Sequence, residues 1–124
     1  MTSTRTGALV IPSVIVLWAA LGLAQTSISA AQAKDHVGEK ATVCGDVAST
    51  RYAASSRGNP TFINLDKPYP NQIFTVLIWG NNRPKFGDPE EAYRSKHICL
   101  TVKISDYKGA PEIIAYEPSQ IKVQ

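Results

Sequence analysis

From Ala41 onward, apolar and polar residues alternate along much of the chain with the two-residue period of half-buried strands. Ala41, Val43, Gly45 and Val47 share one side of a first strand, and Gly45 suits a bend or bulge. Residues 48–60 read as a polar loop through Ser55, Ser56, Gly58 and Asn59. Thr61–Leu65 predicts a second strand, which cannot continue through Pro68 and Pro70 because proline donates no ladder hydrogen bond. Residues 73–79 predict a third strand, apolar on both sides and therefore central, or covered on its second side by a neighbour or a ligand. Ile98, Leu100, Val102 and Ile104 alternate through a fourth strand. Residues 106–109 form a turn, and residues 111–117 a last strand stopped by Pro118.

Helix signals fall at two places. Ser29 and Gln32 are spaced as a capping box, with Ile28 placed to staple onto Ala33 and Gly38 placed to end the helix. Asp88 predicts the cap of a short helix reaching about Ser95, with Pro89 in its first turn and Glu91 completing a capping box. The order strand, strand, strand, helix, strand, strand predicts a mainly β chain. It suits a five-stranded Greek-key barrel, the OB-fold, with an N-terminal helix and a short helix between strands three and four. Closure would remove exposed edges. A small sandwich fits the same pattern.

Ahead of this pattern, Arg5 precedes an apolar run from Ala8 to Leu21, followed by the small residues Gly22 and Ala24. A basic start, an apolar middle and a small-residue end predict a secretory signal peptide. The run, interrupted by Pro12 and Ser13, falls short of the ~20 residues of a comfortable spanning helix, which disfavours an uncleaved anchor. Cuts after Ala24 and after Ala33 both fit the small-residue rule. The second would destroy the Ser29 start signal, so residues 1–24 are predicted as leader and residues 25–124 as a single domain. The expected destination is periplasmic or secreted, without stable membrane insertion once the leader is removed.

Composition narrows the function. The chain carries 13 basic and 10 acidic side chains, and loss of Arg5 with the leader leaves a weak positive excess. A dedicated nucleic-acid binder usually carries a denser basic stripe. Two cysteines, Cys44 and Cys99, in an exported domain predict one disulfide. The alternative is two separate buried thiols. The predicted topology sets strand one beside strand four, with both thiols facing outward from neighbouring strands. A bridge would contribute roughly 4 kcal/mol at the upper end of the chain-entropy model.

Several segments resemble a family. They are residues 36–39, Thr42-Val43-Cys44-Gly45-Asp46-Val47, Asn59-Pro60-Thr61-Phe62-Ile63-Asn64-Leu65, Tyr69-Pro70, residues 74–79 and Tyr107-Lys108-Gly109-Ala110-Pro111-Glu112-Ile113. Together they are similar to small exported bacterial OB-fold proteins of the tRNA-anticodon-binding-like, nucleic-acid-binding kind. The resemblance spans nearly all of the expected domain and implies the fold more specifically than the function. One departure is Thr101-Val102, where the family often has a Thr-Gly pair.

OB-folds bind across strands two and three and the loops at their ends. That geometry nominates Arg51, Tyr52, Arg57, Tyr107 and Lys108 on loops, with Phe62, Asn64, Thr75 and Trp79 facing outward from the strands. Phe62 and Trp79 would stack bases and the cations would hold phosphates of single-stranded DNA or RNA. The competing reading packs these aromatics as core and leaves the cations as solvated loop charges. An envelope module for a protein, peptide or small ligand is the second function, and a metal-dependent nuclease the third. Asp46, Asp66, Asp106, Glu90 and Glu91 are scattered, and His36 and His97 form no ligand-spaced cluster. The expectation is therefore a monomeric, non-catalytic binding module with no metal and no cofactor.

Overall fold

The computed structural model describes Gly7 and residues 27–124. Apart from Gly7, the predicted leader lies outside the described residues, as does the favoured cut after Ala24. The rest is mainly β, with few helices. The strands are β1 (Ser27–Ser29), β2 (Lys40–Tyr52), β3 (Thr61–Leu65), β4 (Phe74–Ile78), β5 (His97–Lys103), β6 (Ser105–Tyr107), β7 (Ala110–Ile114) and β8 (Ile121–Val123). Two single-turn helices, α1 (Arg83–Phe86) and α2 (Pro89–Ala92), separate β4 from β5. Among the described residues no helix is long and apolar enough to cross a membrane.

The hydrogen-bonded order is β6-β7-β4-β3-β2-β5-β8, with β1 paired in parallel to β2. This corrects the expected closed five-stranded barrel: the sheet has eight strands and is open. The physical cause lies at Ile104. The predicted fourth strand pairs with β2 only as far as Lys103, opposite Lys40. Ile104 then donates its N–H to Glu39 and accepts from Gly38, its side chain enters the core, and the chain emerges as β6, paired with β7. β5 and β6 are thus two halves of one bent segment, and they lie near opposite ends of the sheet order.

β2 also departs from expectation, running on to Tyr52 through what read as loop. Val47 sits opposite Leu65, but Ser49, not Ala48, follows opposite Asn64. The extra residue is a β-bulge at Ala48, which reverses the side-chain phase for the rest of the strand. Val43 and Val47 point into the core before the bulge, and Thr50 faces inward with Ile63 after it.

Cys44 and Cys99 stand directly opposite each other in β2 and β5 and are joined by a disulfide, with Cα atoms 4.1 Å apart. The pairing inferred from compartment and strand order is present.

The core is mostly aliphatic, with Phe74, Phe86 and Tyr93 buried among the branched side chains. Val43, Ile63, Val76, Leu100 and Ile113 are fully buried, and each such side chain contributes about 1.5–3 kcal/mol relative to exposure. The predicted Ser29 capping box forms: Ser29 accepts from the Gln32 N–H at 3.3 Å, and its own N–H donates to the Gln32 side chain at 2.9 Å. The helix it opens is a 3-10 segment, Ala30–Asp35, whose Ala30 and Ala33 are wholly buried against the core. A chain starting after Ala33 would lose both alanines and β1. The second predicted helix needs correction. Asp88 makes no cap hydrogen bond, and α2 ends at Ala92 rather than near Ser95.

Candidate functional site

Register across β2, β3, β4 and β7 defines the outward side of the sheet. One row runs Arg51, Phe62, Leu77, Ile114; the next runs Ser49, Asn64, Thr75, Glu112 and on to Ser105 in β6. Continuing the alternation places Trp79 beyond Leu77 and Tyr116 beyond Ile114 on the same side. Two connections bound this face. The β2–β3 loop adjoins its Ile78 end, and the β6–β7 turn adjoins its Phe74 end.

Trp79 is set by glycine. Gly58, at a φ of +78°, lies so close to the indole that a Cβ there would be 2.8 Å from its six-membered ring. The Gly80 N–H donates to the Gly58 carbonyl at 2.9 Å, tying the loop to the end of β4. A side chain at Gly80 would meet that same carbonyl, so both glycines are required by close approach. The loop itself is a series of turns: Ser56 donates to Ala53, Asn59 to Ser56, and the Asn59 side-chain amide to Ala54. Trp79 remains 38% exposed and, with Gly58, Asn59 and Asn81, lines an open cavity of about 320 Å³.

The predicted contact residues separate into three groups. Arg51, Phe62 and Trp79 do share the outward face, with Phe62 half-buried. Arg57 is exposed in the β2–β3 loop; Tyr107 and Lys108 are exposed at the β6–β7 turn, where the Lys108 ammonium lies 5.4 Å from the Tyr107 ring centre. Positive φ at Lys108 and Gly109 is the backbone signature of a tight hairpin turn. Asn64 and Thr75 are on the face but buried. The Thr75 hydroxyl donates to Asn64 at 3.2 Å, and the Asn64 amide donates to Ser49 at 3.0 Å. Their polar groups support the face rather than present themselves on it.

Tyr52 is the exception. The bulge turns it to the opposite side of β2, level with Thr61, where the Arg83 guanidinium stacks on its ring at 3.6 Å. Arg83 also donates to Thr61 at 2.8 Å, to both oxygens of Glu90 at 2.6 Å, and to Asp88 at 3.0 Å. The Thr50 hydroxyl adds a bond to the Glu90 backbone carbonyl. The Arg83 hydrogen bonds hold the Glu90 carboxyl at about 2, below its ordinary 4.5, and raise the Arg83 pKa in turn. Both terminal guanidinium nitrogens and both Glu90 oxygens are thus paired within the chain, which fastens α1 and α2 to β2 and β3.

Glu112 contrasts with it. Its half-buried carboxylate has no ion-pair or hydrogen-bond partner among the described residues, and burial pushes its pKa above the ordinary value. Sequence reasoning did not single out Glu112, Ile114 or Tyr116. Their signal was the alternation of the last strand, which needed the parallel β4–β7 register before it could be placed beside Trp79. Among the described residues, no three His, Cys, Asp or Glu side chains gather as a metal site.

No family model and no curated protein matches the chain. Several solved structures are similar in shape. A putative aspartyl-tRNA synthetase from Leishmania major Friedlin superposes with a TM-score of 0.53 at 11% identity, over 82% of this chain and 21% of that one. The chain thus spans about a fifth of that synthetase's length. The OBody AM1L10 bound to hen egg-white lysozyme superposes with a TM-score of 0.49 at 18% identity, over 73% of this chain and 82% of that one. The likeness to the synthetase is one of fold.

Proposed function

We propose that the chain is an exported, non-catalytic module of OB type that binds single-stranded nucleic acid across the outward face of β3 and β4. The strand connections support the OB reading. β2, β3 and β4 form an antiparallel meander, β7 joins β4 in parallel, and β5 returns to pair with β2. β1 and β8 are additions at the margins, and the bend at Ile104 leaves the order open. Fold likeness to a protein named for tRNA aminoacylation agrees with that reading and by itself assigns no ligand. The disulfide is compatible with an oxidising compartment outside the cytoplasm.

One observation carries the ligand class. A half-exposed tryptophan, held against a glycine, follows Leu77 on the side of the sheet that carries Phe62 and Ile114, with Arg51 in the same row and Arg57 and Lys108 in the loops at its two ends. An aromatic platform between separated cations suits unpaired bases on a phosphate backbone. The test is fluorescence anisotropy of a dye-labelled single-stranded oligonucleotide titrated with the full chain at several salt concentrations. Binding that weakens as salt rises is expected from counterion release. No binding at low salt contradicts the proposal and favours a protein, peptide or small ligand of the envelope on the same face.

A further inference from the structure

The polar row beneath the aromatic strip contains a group that no fastening role explains. Ser49, Asn64 and Thr75 bond to one another across three strands, and Glu112 stands next in register, between Thr75 and Ser105. The chain of side-chain bonds stops before Glu112. Its carboxylate is half-buried, without a cation or donor among the described residues. A desolvated carboxylate is costly unless something donates to it. On a face that receives phosphates it also opposes the ligand's charge. A donor brought by the ligand removes the first cost and offsets the second.

The geometry points to Glu112 as the residue that selects guanine on this face, by accepting from the two adjacent donors of its Watson–Crick edge. The inference rests on the nucleic-acid reading above. The chemistry singles out one base. Guanine alone presents two neighbouring donors, N1–H and the N2 amino group, matched to the two oxygens of a carboxylate. Adenine and cytosine each set one amino donor beside a ring-nitrogen acceptor, which repels the second oxygen. Thymine and uracil set a single N–H between two carbonyls. Charge-assisted, two-point hydrogen bonds are the strong kind, and a good bidentate pair discriminates against the wrong base by roughly fivefold to a hundredfold in affinity.

The experiment uses the full chain and dye-labelled thymidine octamers bearing one central guanine, inosine, adenine or cytosine, read by anisotropy at low salt. Inosine lacks only the N2 amino group, so it removes one donor without altering the protein. The guanine octamer is expected to bind about tenfold tighter than the inosine octamer. In E112Q that ratio is expected to fall towards one, while affinity for an all-thymidine octamer stays equal or rises. Equal binding of guanine and inosine octamers by the unaltered chain overturns the inference and leaves the nucleic-acid reading standing. A guanine preference that persists in E112Q overturns it as well. Failure of every octamer to bind overturns the nucleic-acid reading, and this inference with it.

Discussion

The Arg83 corner and the Trp79 face lie on opposite sides of the same strands and treat polar groups in opposite ways. At the corner, one guanidinium satisfies Glu90, Asp88 and Thr61 and covers Tyr52. On the face, an aromatic ring is left part-exposed and a half-buried carboxylate is left without a partner. Burial alone does not separate the two regions, since Glu90 and Glu112 are both half-buried. Completeness of pairing does. A buried charge that is paired within the chain holds structure together, whereas one left unpaired costs stability.

The sharpest way to break this contrast is to remove Arg83. R83A strands Glu90 and frees α1 and α2, so a loss of about 2–3 kcal/mol in unfolding free energy is expected, below the cost of breaking a fully buried pair because both side chains keep some water contact. Denaturant unfolding measures it, and a loss under half a kcal/mol would show the corner is ornamental. Acid probes the same corner without mutation. The folded Glu90 pKa is about 2 against an ordinary 4.5, so its contribution is complete above about pH 4.5 and is lost as pH falls towards 2. That shift corresponds to about 3 kcal/mol as an upper figure. Unfolding curves of the parent and E90Q should therefore converge across this window.

The face predicts the reverse pattern. W79A is expected to weaken oligonucleotide binding by about 1–3 kcal/mol, the worth of one stacked base, with circular dichroism showing the strands intact. If stability falls as far as in R83A while binding falls no further than it does there, Trp79 is core and the contrast fails. E112Q gives the smallest effect, with an informative sign. The folded pKa of Glu112 is raised, so its ionised form opposes folding as pH rises above the ordinary value. The variant should therefore be slightly more stable than the parent at pH 7 and equal to it in acid. Lower stability at pH 7 would mean that Glu112 has a partner within the fold.

These contrasts also explain what was readable in the sequence. β3 was plain because Thr61–Leu65 is a short, largely apolar run with prolines on both sides of it. The disulfide and the Ser29 capping box were plain because both rest on local chemistry or on a count of two. The bulge at Ala48 was hidden, since an added residue breaks the very period used to recognise a strand. It misplaced Tyr52 and concealed the last third of β2. β1 and β8 contain three residues each, too few to carry a period. The Arg83 corner depends on Thr61 and Tyr52, far away in sequence, so nothing around Arg83 announced it. Asp88 read as a helix cap from its place before Pro89, whereas its side-chain partner is the Arg83 guanidinium.

Ligand is expected on the Trp79–Glu112 side of β3 and β4, with the Arg83 corner left untouched. Backbone amide chemical-shift mapping of the protein with a single-stranded octamer tests it directly. Perturbations are expected to concentrate at Arg51, Phe62, Trp79, Glu112, Ile114 and the β6–β7 turn, with little change at Thr50, Arg83 and Glu90. Shifts centred on Arg83 and α2, or none at low salt, would contradict it.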